Sequence, residues 1–271
     1  MTGYKDFIED NFKIVNKKSE VVDFRLNKIQ NKYILSDYTG KDVILKARQQ
    51  GFSSLILAVF ATDFLLKENS RSVIVADLRE NAQELLDRVK YYIESYQETN
   101  KIKVPLKYNS RYELLNEEKN SRYTIGSADN SNFGRSKTIT NLHLSEFAFY
   151  KESEKLFASA MQAVVPDGRV IIETTANGFN FFKTFWDECV AKERTFKPNF
   201  YKASDFYSES FLENKRNELK DRLFKQEYPE TDIEAFISSG ATFFDKEALE
   251  HYLLNVANPT KEVGSYYELN D

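Results

Sequence analysis

Cysteine and histidine are almost missing from this 271-residue chain: Cys189 stands alone, and His143 and His251 are the only histidines. A disulfide framework and a Cys/His zinc site are therefore excluded within the chain, and the lone thiol suits a reducing, intracellular setting. No run approaches the roughly 20 consecutive apolar residues that a membrane span requires. The opening MTGYKDFIEDNFK is acidic and aromatic rather than a basic leader followed by an apolar stretch, which argues against export. A basic excess is missing too. The formal net charge is −4 and the pI near 5.5, so the chain carries no global footprint of a nucleic-acid binder. Any contact with DNA must be local. Lys17, Lys18, Arg25 and Lys28 form one candidate cluster, and Lys101, Lys103, Lys107 and Arg111 another; a solvated face is the alternative reading of both.

What is present describes a folded protein. Hydrophobic residues make up 41% and aromatics 14% of the chain, enough for a substantial core, and the 30% charged residues supply an ordinary surface. The length suits one large α/β core plus a smaller appendage. Phe7, Ile8 and Phe12 recur at helical spacing, and Leu26 to Tyr33 suggests a second short helix. The period then changes. DVILKA (Asp42 to Ala47) reads as a buried strand that runs through RQQGFSS into an apolar helix from about Ser54 to Lys67. SVIVAD (Ser72 to Asp77) is another such strand. A helix from Leu78 to about Tyr96 follows it, with Asp77 and Glu80 placed as a capping box.

Shorter strands are expected at Tyr112 to Leu115 and Arg122 to Ile125, ahead of a Gly, Ser and Asn-rich loop from Gly126 to Ser136. TITNLHLSE (Thr138 to Glu146) reads as a strand ending in a carboxylate. A helix over about Glu152 to Val164, a PDG turn, the strand RVIIETT (Arg169 to Thr175) and a helix opened by Asn177-Gly178 follow. From Asp205 the pattern turns to charged helices, including one near Asp245 to Leu254. This predicts a main unit over 1–204 and a small second unit over 205–271. Alternating strands and helices imply a mostly parallel sheet covered on both faces, with ligands beyond the carboxyl ends of its strands.

Three loops occupy such positions. In Lys46-Ala47-Arg48-Gln49-Gln50-Gly51-Phe52-Ser53-Ser54, backbone N–H groups at a helix start suit a phosphate. The loop departs from the standard pattern, which has glycine where Lys46 stands and lysine where Phe52 stands. Lys46, entering from the loop's start, is the candidate replacement; Ser53 takes the position of a Mg²⁺-binding hydroxyl, and Arg48 can add charge at a γ-phosphate. In Leu142-His143-Leu144-Ser145-Glu146, a strand delivers a carboxylate suited to activating water. Ser145 stands where an aspartate would anchor the metal shell, and it can hold a metal-bound water less firmly. His143 reads as a packed or half-exposed strand residue. In Glu173-Thr174-Thr175-Ala176-Asn177-Gly178, hydroxyls can sense a γ-phosphate or the attacking water. Taken singly, each loop has a plain alternative: a strand-to-helix turn, a helix-start acid, and a cap with a tight turn.

In combination, KARQQGFSS, VIVADLRENAQEL, GRSKTITNLHLSEFAFY and IIETTANGF resemble the terminase large-subunit family of tailed double-stranded DNA viruses, continuously from about Arg25 to Trp186. That resemblance implies an additional-strand, catalytic-glutamate P-loop NTPase (RecA-like) with a small helical lid or linker. Lys46 to Ser54 would be the Walker A loop binding ATP and Mg²⁺, Glu146 the catalytic glutamate, and Thr174 to Asn177 the coupling motif. Arg135 would be an arginine finger reaching a neighbouring subunit, Gln30 a base contact and Arg25 its stacking partner.

The resemblance further implies a motor moving double-stranded DNA into a procapsid. It would work as a ring of copies in the host cytoplasm, with a portal protein and a small terminase subunit as partners. Family members also carry a C-terminal nuclease domain; EAFISSGATFFD looks like the segment preceding it, so no DNA cleavage is expected of this stretch. Two other functions remain open at this point: a helicase-like single-strand translocase, and a nucleotide-insensitive docking module.

Overall fold

The computed structural model describes residues 2–128, 138–239, 251, 261–263 and 266–268. Helix α1 (Thr2–Asn11), a hairpin of β1 (Lys13–Val15) and β2 (Val21–Asp23), and the short helix α2 (Lys28–Lys32) open the chain. Strands and helices then alternate through β3 (Lys41–Lys46), α3 (Phe52–Leu66), β4 (Arg71–Ala76) and α4 (Arg79–Asn100). An antiparallel meander of β5 (Leu106–Asn109), β6 (Glu113–Asn116) and β7 (Ser121–Ser127) comes next. The alternation resumes with β8 (Ile139–Ser145), α5 (Ser153–Ala163), β9 (Val164–Thr174), α6 (Phe181–Val190) and β10 (Lys197–Tyr201). Helices α7 (Glu209–Glu227) and α8 (Asp232–Ser239) and an antiparallel pair, β11 (Lys261–Val263) with β12 (Tyr266–Glu268), complete the described elements.

The main sheet has eight strands in the order β10-β3-β9-β8-β4-β7-β6-β5. Its first six strands are parallel, and β6 and β5 extend it antiparallel at one edge. The apolar runs in the strands follow from burial on both faces. Ile44, Ile74 and Ile171 face one core layer with α1, α2, α3 and α4, whereas Val43, Leu45, Val73, Val75, Val170 and Ile172 face the other, with α5, α6 and α8. Helix α3 is apolar around its circumference and buried from Leu55 to Leu65, as a helix must be when it is enclosed between the sheet, α1 and α4.

Three local expectations change. The capping box at Asp77 and Glu80 does not form. The helix frame starts one residue later, with Leu78 at the N-cap, and Asp77 accepts instead from Asn81 Nδ2 at 2.7 Å. A reciprocal box closes α2, where Asn27 Oδ1 accepts from Gln30 N at 3.0 Å and Gln30 Oε1 from Asn27 N at 2.9 Å. The PDG segment is no turn between elements but an irregularity within β9, where the register against β8 shifts between Ile139 and Asn141. A Cβ on Gly168 would meet Val164 Cγ1 at 2.5 Å, so the bulge requires glycine there. Helix α6 begins at Phe181 rather than at Asn177-Gly178, because Asn180 supplies the cap to Phe182 N at 3.0 Å.

The helices after Asp205 are joined closely to the sheet. Ala235 and Phe236 of α8 belong to the core layer beneath α6, and Trp186 Nε1 donates to Asp232 at 3.0 Å. Helix α7, kinked at Lys220 (φ 62°), packs Phe224, together with Tyr228 just beyond its end, on Ala47 and Ala203. The expected helix near Asp245 to Leu254 falls almost wholly outside the described residues.

Candidate active site

Lys46 is the last residue of β3, Ser145 the last of β8, and Glu173 lies next to the end of β9, so neighbouring parallel strands end side by side. The loop Ala47 to Gly51 then turns the chain from β3 into α3. Gln49 (φ 57°) and Gly51 (φ 84°) are both left-handed. A Cβ on Gly51 would approach Gln30 Nε2 to 2.8 Å, because that amide donates to Gly51 O at 2.7 Å. Gln30, buried under the loop, therefore props it from below, and Asn27 Nδ2 does the same to Gln50 O at 3.1 Å. The first N–H groups of α3 have no intrahelical acceptors. They border a cleft of about 1150 Å³ lined by Lys46, Gln49 to Ser54 and Glu146 on one side and by Asn81, Arg88 and Tyr91 of α4 on another.

Phe52, which holds the place of the standard loop lysine, is fully buried against Tyr201 and Tyr33. It anchors the helix start in the core, and the positive charge comes from Lys46 instead. The Lys46 ammonium lies 3.1 Å from Glu146 Oε1 and 3.1 Å from Glu173 Oε2. Side-chain exposure separates the two acids: 0% for Glu173 against 38% for Glu146. Burial alone would lower the Lys46 pKa, but the charges of Glu173 and Glu146 outweigh it and hold the group above its ordinary value. Burial likewise works to raise the Glu173 pKa, and the adjacent Lys46 charge with donation from His143 and Ser53 drives it well below the usual carboxylate range.

Glu173 is the residue at this centre to which the sequence alone assigns no role. Its Oε1 accepts from Ser53 Oγ and from Ser145 Oγ, each at 2.7 Å, and lies 3.4 Å from His143 Nε2. The signal was available: a carboxylate inside the apolar strand VIIETT must be paired if it is buried. His143 is fully buried, its Nδ1 without a partner, which fits the tautomer that carries its proton on Nε2 toward Glu173.

Glu146 sits in a left-handed conformation (φ 54°) immediately after β8. Its backbone N–H donates to Glu173 O at 2.8 Å, and its Oε2 accepts from Thr175 N at 3.2 Å and lies 3.5 Å from Thr174 Oγ1. Thr174 Oγ1 also accepts from Ala148 N at 3.2 Å, and Asn177 Nδ2 donates to Ala148 O at 3.2 Å, while Ala176 is buried. The segment from Thr174 to Asn177 thus grips the chain on both sides of the acid.

The remaining expected residues lie around this centre. Arg48 turns outward to Glu227 of α7 at 2.9 Å, with a second tie from Arg48 N to Glu227 O at 3.0 Å. Tyr207 donates to Arg48 O at 2.7 Å and Gln50 Nε2 to Lys202 O at 3.0 Å, and the Ser54 carbonyl accepts from Tyr92 at 3.4 Å. Arg25 is exposed beside Asp23 and Glu9, at 3.5 and 3.9 Å. Arg135 lies outside the described residues. The donor set fits magnesium rather than a softer ion, since it offers hydroxyl and carboxylate oxygens; among the described residues no cluster of three or more His, Cys, Asp or Glu could hold a metal ion unaided. An ion shared with phosphate oxygens needs only one or two such protein groups. Among the described residues no helix is long and apolar enough to cross a membrane.

Solved structures share this arrangement of elements. The ATPase domain of the large terminase of Thermus phage P74-26 superposes with a TM-score of 0.59 at 18% identity, over 74% of this chain and 92% of that one. The large terminase of bacteriophage HK97 gives 0.66 at 18% identity over 96% of this chain and 59% of its own. The chain has the fold of a phage large-terminase ATPase domain. The large terminase of the thermophilic bacteriophage D6E in complex with ATP-gamma-S is also similar, at a TM-score of 0.56 and 13% identity, over 75% of this chain and 51% of that one. Against the D6E and HK97 large terminases, the chain thus spans between half and three fifths of their length. No family model and no curated protein sequence matches the chain. Within this terminase ATPase fold, the mostly parallel sheet flanked by helices is the P-loop NTPase architecture expected from the alternation of strands and helices.

Proposed function

We propose that this chain is the Mg-ATP-hydrolysing unit of a DNA-packaging motor, converting hydrolysis into movement of double-stranded DNA through a portal into a viral procapsid. The observation that carries the reading is the meeting of Lys46, Ser53, Glu146 and Glu173 beside the start of α3. In this reading the N–H groups from Gln49 to Ser54 and the Lys46 ammonium cradle the phosphates. Ser53 Oγ and, through water, Ser145 would hold Mg²⁺, which when bound would neutralise charge building on the phosphoryl oxygens.

Lys46 has two acidic partners, and its tie to the half-exposed Glu146 is the one that an arriving phosphate displaces. Glu146, released from Lys46 but still held by Thr175 N, then orients the attacking water. Arg48 turns from Glu227 toward the γ-phosphate, and Thr174 to Asn177 pass its loss to the segment around Ala148. The base stacks on Arg25, and Gln30, whose amide is engaged by Asn27 N and Gly51 O, acts by holding the loop rather than by touching the base. Arg135 comes from a neighbouring copy in a ring, and the region from 205 onward serves as a lid or linker. A small terminase subunit and a nuclease domain belong to the same assembly, which works in the host cytoplasm.

ATP turnover per chain, measured against protein concentration with and without duplex DNA, tests the reading. Turnover should rise with concentration and with DNA, and Arg135→Ala should abolish the concentration dependence. Turnover that stays flat in every condition, with Arg135→Ala indistinguishable from wild type, contradicts the motor reading.

A further inference from the structure

Ser145 stands at a strand end where a metal-binding acid is ordinarily needed, and a hydroxyl carries no charge to hold a divalent ion. Across the parallel ladder, Ser145 of β8 is in register with Glu173 of β9. Residues in register on neighbouring strands share a face of the sheet and lie about 4.8 Å apart. The longer glutamate side chain spans part of that gap, and its Oε1 meets Ser145 Oγ at 2.7 Å. The same oxygen accepts a hydrogen bond from Ser53 Oγ at 2.7 Å, which turns the lone pairs of that hydroxyl away from the carboxylate and leaves them free for a cation.

We propose that Glu173 replaces the acid missing at position 145: the carboxylate of the magnesium shell has moved one strand sideways, where it orients Ser53 and Ser145 and supplies the negative charge. This rests on the Mg-ATP reading above and assigns a positioning role to the first residue of the third loop, ahead of the Thr174 to Asn177 segment.

The alternative, that Glu173 serves only as counter-ion to Lys46, accounts less fully for two observations. Lys46 already has a counter-ion in Glu146 at 3.1 Å, so two carboxylates share one ammonium. A divalent cation bound beside them would balance the second charge. Donors on a buried carboxylate are expected of a counter-ion as well, but one of them, Ser53, also lines the cleft, and a metal shell needs its oxygen ligands oriented in this way.

The test measures Mn²⁺ binding, by the electron paramagnetic resonance of the free ion, in the full chain saturated with ADP, alongside ADP binding in EDTA. Glu173→Gln should weaken Mn²⁺ binding about 10- to 100-fold, as loss of a ligand-orienting group does, with ADP binding in EDTA little changed. Glu173→Asp keeps the charge opposite Lys46 and should fold, but it retracts the carboxylate and should also weaken Mn²⁺. The exchange Ser145→Asp with Glu173→Ser returns the acid to β8 and should restore Mn²⁺ affinity to within about 10-fold of wild type.

If Glu173→Gln fails to fold, Glu173→Asp and the exchange decide. The proposal is overturned if Mn²⁺ affinity is unchanged in Glu173→Asp and in any folded Glu173→Gln, if metal-free ADP binding falls in parallel with Mn²⁺ binding, or if the exchange restores nothing. Failure of the wild-type chain to bind ADP at all would instead overturn the nucleotide reading, and this proposal with it.

Discussion

Lys46 and Glu146, 100 positions apart in the sequence, meet at 3.1 Å across the ends of β3 and β8. The lysine therefore has an acidic partner on each side, one buried and one half-exposed. Charge on a deep group is stable only when matched, so the buried side of this arrangement contributes to folding and the exposed side is available for chemistry.

The buried side sets the first prediction. Glu173→Gln removes the fully buried acid beside Lys46, which keeps Glu146 as its partner, and should destabilise the domain by about 1–3 kcal/mol, the usual cost of losing charge-assisted hydrogen bonds in a buried cluster. Urea unfolding followed by circular dichroism measures it. A loss below about 1 kcal/mol, the range of exposed pairs, would contradict the pairing.

The pH dependence follows from the directions of the two shifts. Glu173 is depressed from an ordinary value of 4.5, so its contribution is complete above about pH 4.5 and is lost as pH falls toward the folded value. Lys46 is raised from 10.5, so its contribution is complete below about pH 10.5 and is lost only as pH climbs toward its folded value. The stability gap between wild type and Glu173→Gln should therefore be constant from about pH 5 to 10 and narrow below about pH 4.5. A gap that widens in acid would mean the wrong sign for Glu173.

Gly51 is held at φ 84° with Gln30 directly beneath it. Gly51→Ala should cost about 1–3 kcal/mol for a non-glycine residue in this conformation, and it should weaken Mg-ATP binding by tilting the loop. Gln30→Ala in the same background relieves the collision and should recover part of the stability. Equal melting temperatures for Gly51→Ala and wild type would show that the loop conformation is different.

Attachment of α7 rests on apolar packing more than on charge. The side chain of Arg48 is 61% exposed where it meets Glu227, so Arg48→Ala should change stability by less than about 1 kcal/mol. Phe224, buried on Ala47 and Ala203, should cost about 3–5 kcal/mol on truncation to alanine. Thermal unfolding of both variants compares them directly, and the reverse order would contradict this picture.

Sequence periodicity made the centre of the sheet legible because β3, β4 and the second half of β9 are buried on both faces and read as apolar runs, while β8 shows through the buried Leu142 and Leu144. Strand β10, KPNFY, was not legible. It is an edge strand with Pro198 and Asn199 in it, defined by its pairing to β3 rather than by its own pattern. The hairpin of β1 and β2 has exposed valines and no alternation that a window can detect. Lys46 could be chosen from the loop alone because a phosphate site needs one cation and the usual position holds Phe52. Glu173 could not be placed in the same way: the partners that explain it, Ser53, Ser145, His143 and Lys46, come from three other elements and meet only after the sheet has formed.

In the proposed function these strand ends surround Mg-ATP, with Glu146 as the group that orients water. Parallel measurement of Mg-ATPγS binding and ATP turnover in wild type and Glu146→Gln tests it most directly, because Glu146 is half-exposed and its amide variant should leave the fold intact. Unchanged ATPγS affinity is expected, with turnover reduced about 100-fold or more, the usual contribution of a positioned base. Absence of ATPγS binding by the wild-type chain, or normal turnover by Glu146→Gln, would contradict it.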